Sequence, residues 1–186
     1  MDKVTLYTAQ RQIVLDTIER DGVYYVKREY IKAKYGESAW VFAEAYAFFR
    51  QMAPRYLPCP PEAESGIWLY QDPRWTYATP DTSLIELSIP RDKVLFFDFR
   101  LWNRILNLEY IGADERDERE FAEQLRRLGL GDTRKLFTTA FYPLEKRRVR
   151  ESWNRLFSSG GCEPIYLQAA SWELRREWIV DIKTAQ

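Results

Sequence analysis

The opening run Leu6-Tyr7-Thr8-Ala9-Gln10 places a phenol, a hydroxyl and a carboxamide close together, and Glu173 lies late in the chain, just before Arg175 and Arg176. A strand-to-helix junction at Thr8 would offer backbone donors of a helix N-terminus, which suit an anionic ligand. Flanking cations would keep Glu173 ionised, as a group that stabilises a developing cation must be. Each feature also has a plainer reading. Thr8 can be a helix cap with Tyr7 in the core, and Glu173 can form a surface ion pair worth little.

Trp68 and Tyr70, in the apolar run Ile67-Trp68-Leu69-Tyr70, would supply rings to line a site. Arg147 and Arg150 stand with Lys146, Arg148 and Arg155 around Trp153. Lys146 and Arg150 are like charges four residues apart, which is unfavourable on a helix unless something neutralises them. A nucleotide or phosphate would do so. Glu145 and Glu151 would serve equally from within, leaving a solvated basic face.

The chain of 186 residues has no histidine. That excludes Ser-His-Asp and Cys-His triads, HExxH zinc sites and any imidazole base. Catalysis would rest on carboxylates, Tyr, Lys, Arg, Cys or backbone dipoles. Asp98, at the end of an apolar strand, reads first as a helix N-cap and second as a catalytic carboxylate. Glu86 falls opposite Ile85, Leu87 and Ile89 on an alternating strand and reads as its solvent side. No spacing of Asp98, Glu86 and Glu173 marks a metal site, so none is expected.

Basic and acidic residues balance at 28 each, which gives no global attraction to nucleic acid or anionic membrane. No apolar run reaches the roughly 18 residues of a membrane span, and the N-terminus shows no signal segment, so a cytoplasmic protein is expected. Cys59 and Cys162 form no CxxC and read as reduced thiols. An aromatic share of 16% supplies more rings than a core needs, and the surplus favours pockets or interfaces.

Periodicity predicts strands at Val4 to Tyr7, Ile67 to Tyr70, Leu84 to Ile89, Ile165 to Ala170 and Trp178 to Ile182, with a central strand at Val94 to Asp98. Val23 to Val26 would be a short extended piece. A helix capped by Thr8 would bury Ile13, Val14, Thr17 and Ile18 and stop at Gly22. A weak helix is expected from Arg28 to Lys34, and a stronger one from Ser38, burying Phe42, Ala45, Tyr46 and Phe49, to Pro54. Further helices would span about Arg100 to Leu108, Asp114 to Arg127 and Leu144 to Phe157, with Gly160-Gly161 breaking the last. The charged run would pair Glu120 with Arg116 and Glu123 with Arg119 and Arg127, while Phe121, Leu125 and Leu128 face inward. The sum is an α+β fold: a mixed β-sheet with helices packed on it, in one domain over residues 1–186.

Leu6-Tyr7-Thr8-Ala9-Gln10, Phe97-Asp98-Phe99 with Trp102, Glu151-Ser152-Trp153-Asn154-Arg155-Leu156-Phe157, and Leu167-Gln168-Ala169 with Trp172-Glu173-Leu174 follow one another in order. In that order they resemble an uncharacterised bacterial family, the domain of unknown function 3841. At the level of fold the chain also resembles mono-ADP-ribosyltransferase-like proteins. Those begin with a strand carrying a reader of nicotinamide, followed by a helix and a glycine, and carry a glutamate near a late strand. That resemblance implies NAD as cofactor, with Tyr7, Thr8 and Gln10 at the first position, where Arg or His is usual. It puts Trp68 or Tyr70 in the middle and Glu173 last.

Two readings follow. The first is a metal-independent transferase using NAD or another nucleotide, with Gln10 and Glu173 as its catalytic residues. Its ligand contacts would be Tyr7, Thr8, Trp68, Tyr70, Arg147 and Arg150. The second is a non-catalytic module that holds a protein or nucleic acid strand through Trp68, Trp75, Tyr77 and the basic helix. A carboxylate-metal nuclease is a distant third.

Overall fold

The computed structural model describes residues 2–27, 39–158 and 162–184. The weak helix expected from Arg28, the residue Ser38 and the Gly160-Gly161 break lie outside them. The α+β class is confirmed: strands and helices alternate irregularly, and every registered strand pair is antiparallel.

The chain divides into two units, residues 1–36, 49–96 and 167–186 in one, and 37–48 and 97–166 in the other. The first is built on strands β1 (Lys3–Arg11), β3 (Ile67–Tyr70), β4 (Thr82–Pro90), β6 (Leu167–Ser171) and β8 (Ile179–Thr184), with the first half of β5 (Leu95–Asp98), whose Phe97 and Asp98 count with the second unit. They form one sheet in the order β5-β6-β3-β1-β4-β8. A small second ladder joins β2 (Val23–Tyr24) to β7 (Leu174–Arg175).

Burial along β4 alternates strictly, with Ser83, Ile85, Leu87 and Ile89 closed off and the residues between them half-buried. This is the period-2 pattern of a strand with one dry face. Leu6, Ile67, Leu69 and Ala169 share that face, and helix α1 (Gln12–Asp21) covers it with Val14 and Ile18. Ile13, expected inward, is 61% exposed. The helix starts three residues later than a Thr8 cap would have started it, at Gln12 with Arg11 as its N-cap, and its buried stripe is Val14 and Ile18. Gly22 stops α1 in the left-handed conformation, φ 77°, its N–H bonding back to Ile18 O at 2.8 Å.

Two expectations about strands are corrected. Thr8 caps nothing: β1 runs on through it to Arg11 because its pairing with β4 continues unbroken to Thr82. β5 stands at an end of the sheet rather than its centre. Its apolar character on both sides reflects coverage, since Phe97 is 1% exposed and sits 6.1 Å from the Trp102 ring.

The second unit holds α3 (Phe99–Leu106), α4 (Glu115–Arg127), the short α5 (Arg134–Phe137) and α6 (Pro143–Ser152). The N-terminal part of α2 (Ala39–Met52) belongs to it as well, while Phe49 onward counts with the first unit. Trp153 is its centre: fully buried, edge-on to Phe48 at 5.4 Å, stacked on Phe137 at 6.0 Å, and donating its indole N–H to Glu109 O at 2.7 Å. The charged face of α4 pairs Arg116 with Glu120 and Arg127 with Glu123 as its spacing implies. Arg119 turns instead to Glu115, and Leu128, expected inward, is 37% exposed at the helix end. No helix among the described residues is long and apolar enough to cross a membrane.

The cap at Gly22 gives a direct test. A Cβ there would meet no atom within 4 Å, so Gly22→Ala reads backbone strain alone. It is expected to destabilise by about 1 kcal/mol in urea denaturation. Gly22→Asn, which tolerates the left-handed region, should lose less.

Candidate functional site

β1 lies between β3 and β4, so its residue Tyr7 has two direct cross-strand partners, Tyr70 and Glu86. Tyr70 in turn faces Gln168 of β6, and Glu86 faces Asp181 of β8. Directly opposed residues of an antiparallel pair project to the same side of the sheet. One rung therefore carries Gln168, Tyr70, Tyr7, Glu86 and Asp181, on the side away from the α1 core.

Small residues flank this rung. Thr5 and Ser88 are paired on one side of it, and Ala9 and Ala170 lie on the other. Trp68 pairs with Ala170 on the same face, held edge-on by Phe49 at 5.0 Å. Two phenols, an indole and Leu84, the partner of Ala9, thus share this face with shorter side chains.

Gln168 is 6% exposed as a residue and its carboxamide makes no hydrogen bond with a described residue. The fully buried side-chain oxygen without a partner among the described residues is Ser171 Oγ, at the other end of the same strand. Glu86 is half-buried and forms no hydrogen bond or ion pair with any described residue.

The other candidates are placed as follows. Thr8 and Gln10 alternate to the face opposite Tyr7. Thr8 is 2% exposed and accepts a hydrogen bond from Gln10 Nε2 at 2.8 Å. Because β1 continues as a strand, Tyr7 cannot share a face with either. Glu173 lies past the C-terminal end of β6, whereas Gln168 sits near its N-terminal end.

Glu173 is 4% exposed, and Arg175 grips both its oxygens, at 2.9 and 3.0 Å. The Tyr25 hydroxyl donates to it at 3.2 Å. Burial and the Glu173 charge together push the Tyr25 phenol up. The hydrogen bond to Glu173 raises the Arg175 guanidinium further. This cluster fastens the β2–β7 ladder, with Arg175 also 6.0 Å from the Trp178 ring.

Arg150 and Arg147 lie in the other unit, each with an acidic partner: Glu44 at 2.9 Å and Glu151 at 3.7 Å. The charge crowding on α6 is offset from within. An open cavity of about 640 Å³ lies beside α4, lined by Arg104, Glu118, Phe121 and Thr133 among others. Arg104 there is held by Glu109 and Glu118. Trp75 and Tyr77 are exposed on the loop after β3. No group of three or more Cys, Asp or Glu side chains among the described residues is arranged to hold a metal ion.

A family model, described as Domain of unknown function (DUF3841), matches residues 5–180. The chain belongs to the DUF3841 family. No curated protein and no solved structure matches it. The span shared with DUF3841 includes Gln168, Tyr70, Tyr7 and Glu86, and Asp181 falls just past it.

Within this DUF3841 domain, sequence reasoning named Tyr7, Trp68 and Tyr70 and passed over Gln168 and Glu86. A lone glutamine in Leu167-Gln168-Ala169-Ala170-Ser171 was the available signal. Its importance depends on strand register, which no local pattern discloses.

Asp98 is the N-cap of α3, accepting from the Arg100 N–H at 2.8 Å and paired with the Arg100 guanidinium at 2.6 Å. Burial would raise its carboxyl, but hydrogen bonds from the Arg100 side chain and backbone and from Cys162 outweigh that and hold it below the usual range. A lowered folded value means that the pairing contributes stability above the ordinary carboxylate range and loses it as pH falls through the lowered value. Asp98→Ala should therefore be about 1 kcal/mol less stable than the parent at neutral pH. The gap should narrow below about pH 4, as read from urea midpoints across the acid range.

Proposed function

We propose that the Gln168–Tyr70–Tyr7 rung binds the carboxamide-bearing ring of NAD or a closely related nucleotide, and that the protein is a metal-independent transferase resembling mono-ADP-ribosyltransferases. The observation that carries this reading is the register that sets the Gln168 carboxamide beside two phenols, Tyr70 and Tyr7, on one face. An amide pairs with an amide through one donated and one accepted hydrogen bond. Tyr70 and Tyr7 supply ring faces and edges against which a planar heterocycle packs. Nicotinamide combines the two requirements, a flat ring with a carboxamide at its rim.

The order of elements supports the same reading. β1 carries Tyr7, α1 follows it directly, Gly22 closes the helix, and the third member of the rung comes from the late strand β6. In this arrangement Glu173 supports from a distance. Its ion pair with Arg175 holds the segment that follows β6. Gln10, on the other face, steadies Thr8 within the core-facing row.

Calorimetric titration with NAD tests the proposal. Binding is expected in buffer containing EDTA, and Gln168→Leu should weaken it about tenfold, the worth of one hydrogen bond at about 1.4 kcal/mol. Tyr70→Ala should lose about 1–3 kcal/mol, the range found when a stacking aromatic is removed. If NAD, nicotinamide mononucleotide and ADP-ribose all fail to bind the folded protein, the reading is wrong.

A further inference from the structure

β8 is the last strand of the sheet: β4 pairs with one of its edges, and no strand among the described residues pairs with the other. An open edge presents unpaired backbone N–H and C=O groups, a template for a further strand. The Ile182 N–H donates to the carboxylate of the neighbouring Asp181 at 2.9 Å, a bond within the strand rather than across a ladder. Ile182 stands opposite the fully buried Ile85 and is itself 41% exposed, so the apolar row of the sheet runs out to the open edge there.

The charged residues of the same strand are a second observation. Asp181 lies opposite Glu86 of β4, and like charges so placed are unfavourable. Its own cation is held loosely: Lys183 is 3.7 Å away, and the Lys183 and Asp181 side chains are 69% and 51% exposed. A second cation arriving at the open edge would offset the Glu86 charge as well.

Symmetry selects the source of that cation. Two copies of β8 paired antiparallel about a two-fold axis normal to the sheet must be centred on one residue, because opposed residues project to the same side. The bulge of β8 falls at Val180, since Glu86 pairs with Asp181 and Leu87 with Ile179. The regular stretch after it leaves three centres with a strand residue on either side: Asp181, Ile182 and Lys183. Centring on Asp181 or on Lys183 sets that residue against its own copy, a like-charge pair. Centring on Ile182 sets Asp181 of each copy against Lys183 of the other and brings the two isoleucines together on the core side. One register alone is complementary.

We propose that β8 is the dimerisation edge of this protein: two copies join antiparallel, centred on Ile182, and continue the sheet across the two-fold axis. On joining, Lys183 of each copy takes the Asp181 carboxylate of the other, and the Ile182 N–H passes from Asp181 to the Ile182 carbonyl opposite. The paired segment is short, which places the contact among the small, weak interfaces.

Sedimentation equilibrium of the whole chain, over a concentration series reaching the millimolar range, tests this. The mass should rise from one chain toward two. Lys183→Asp puts a carboxylate opposite Asp181 twice in each dimer and should weaken association about tenfold. Asp181→Lys, which opposes two ammonium groups, should do the same. The two reversals combined restore both opposite-charge pairs and should return the affinity to within about threefold of the parent. Thermal melts of each variant, with Tm close to that of the parent, separate lost pairing from lost folding. A chain that stays monomeric throughout overturns the proposal. So does a dimer indifferent to the single reversals, or one that the double reversal does not restore.

Discussion

The register of β1 against its two neighbours is the constraint on which everything else in the first unit depends. Leu6 opposite Leu87 and Thr8 opposite Ile85 put one row into the α1 core, and this sends Tyr7 to the other side between Tyr70 and Glu86. A slip of one residue would turn Leu6 to the outer face and Tyr7 inward, so the burial of Leu6, Ile85, Leu87 and Ile89, each fully closed off, fixes the row that bears the candidate site. The site has no separate anchor. It is held by the same hydrophobic burial that makes the sheet fold.

Much of this was legible from residue spacing, and the limit was physical. Ile67 to Tyr70 alternates in the sequence and in the structure, and Gly22 ends α1 because only a residue that accepts positive φ can do so cheaply. Asp98 was readable as a cap because that bond is local. Thr8 was misread because Ser, Thr and Asp cap helices by propensity, and propensity does not register that β1 continues to pair with β4 up to Arg11. β5 looked central because apolar residues on both sides of a strand report coverage, not neighbours.

The rung itself was out of reach for a different reason. Tyr7, Tyr70, Glu86 and Gln168 are spread over most of the chain, and their meeting depends on a strand order in which β3 and β4 flank β1 and β6 lies beyond β3. Hydrophobic alternation says which face a residue takes on its own strand and nothing about which strand lies next to it. Glu86 therefore read as a solvent-facing side chain, correctly as to face. Only the cross-strand partners give that face its meaning.

The two faces of the sheet obey the rules of folding unequally. On the α1 side, Leu6, Ile18, Ile85, Leu87 and Ile89 bury apolar surface, and nearly every local choice agrees with the fold. On the other side the row is aromatic and polar: Tyr7 lies between Tyr70 and Glu86, and Glu86 stands opposite Asp181, a placement of like charges that a sheet does not favour. None of these residues belongs to the apolar cluster under α1. Burial therefore fixes which way this row faces and leaves its side chains free to answer to something other than folding.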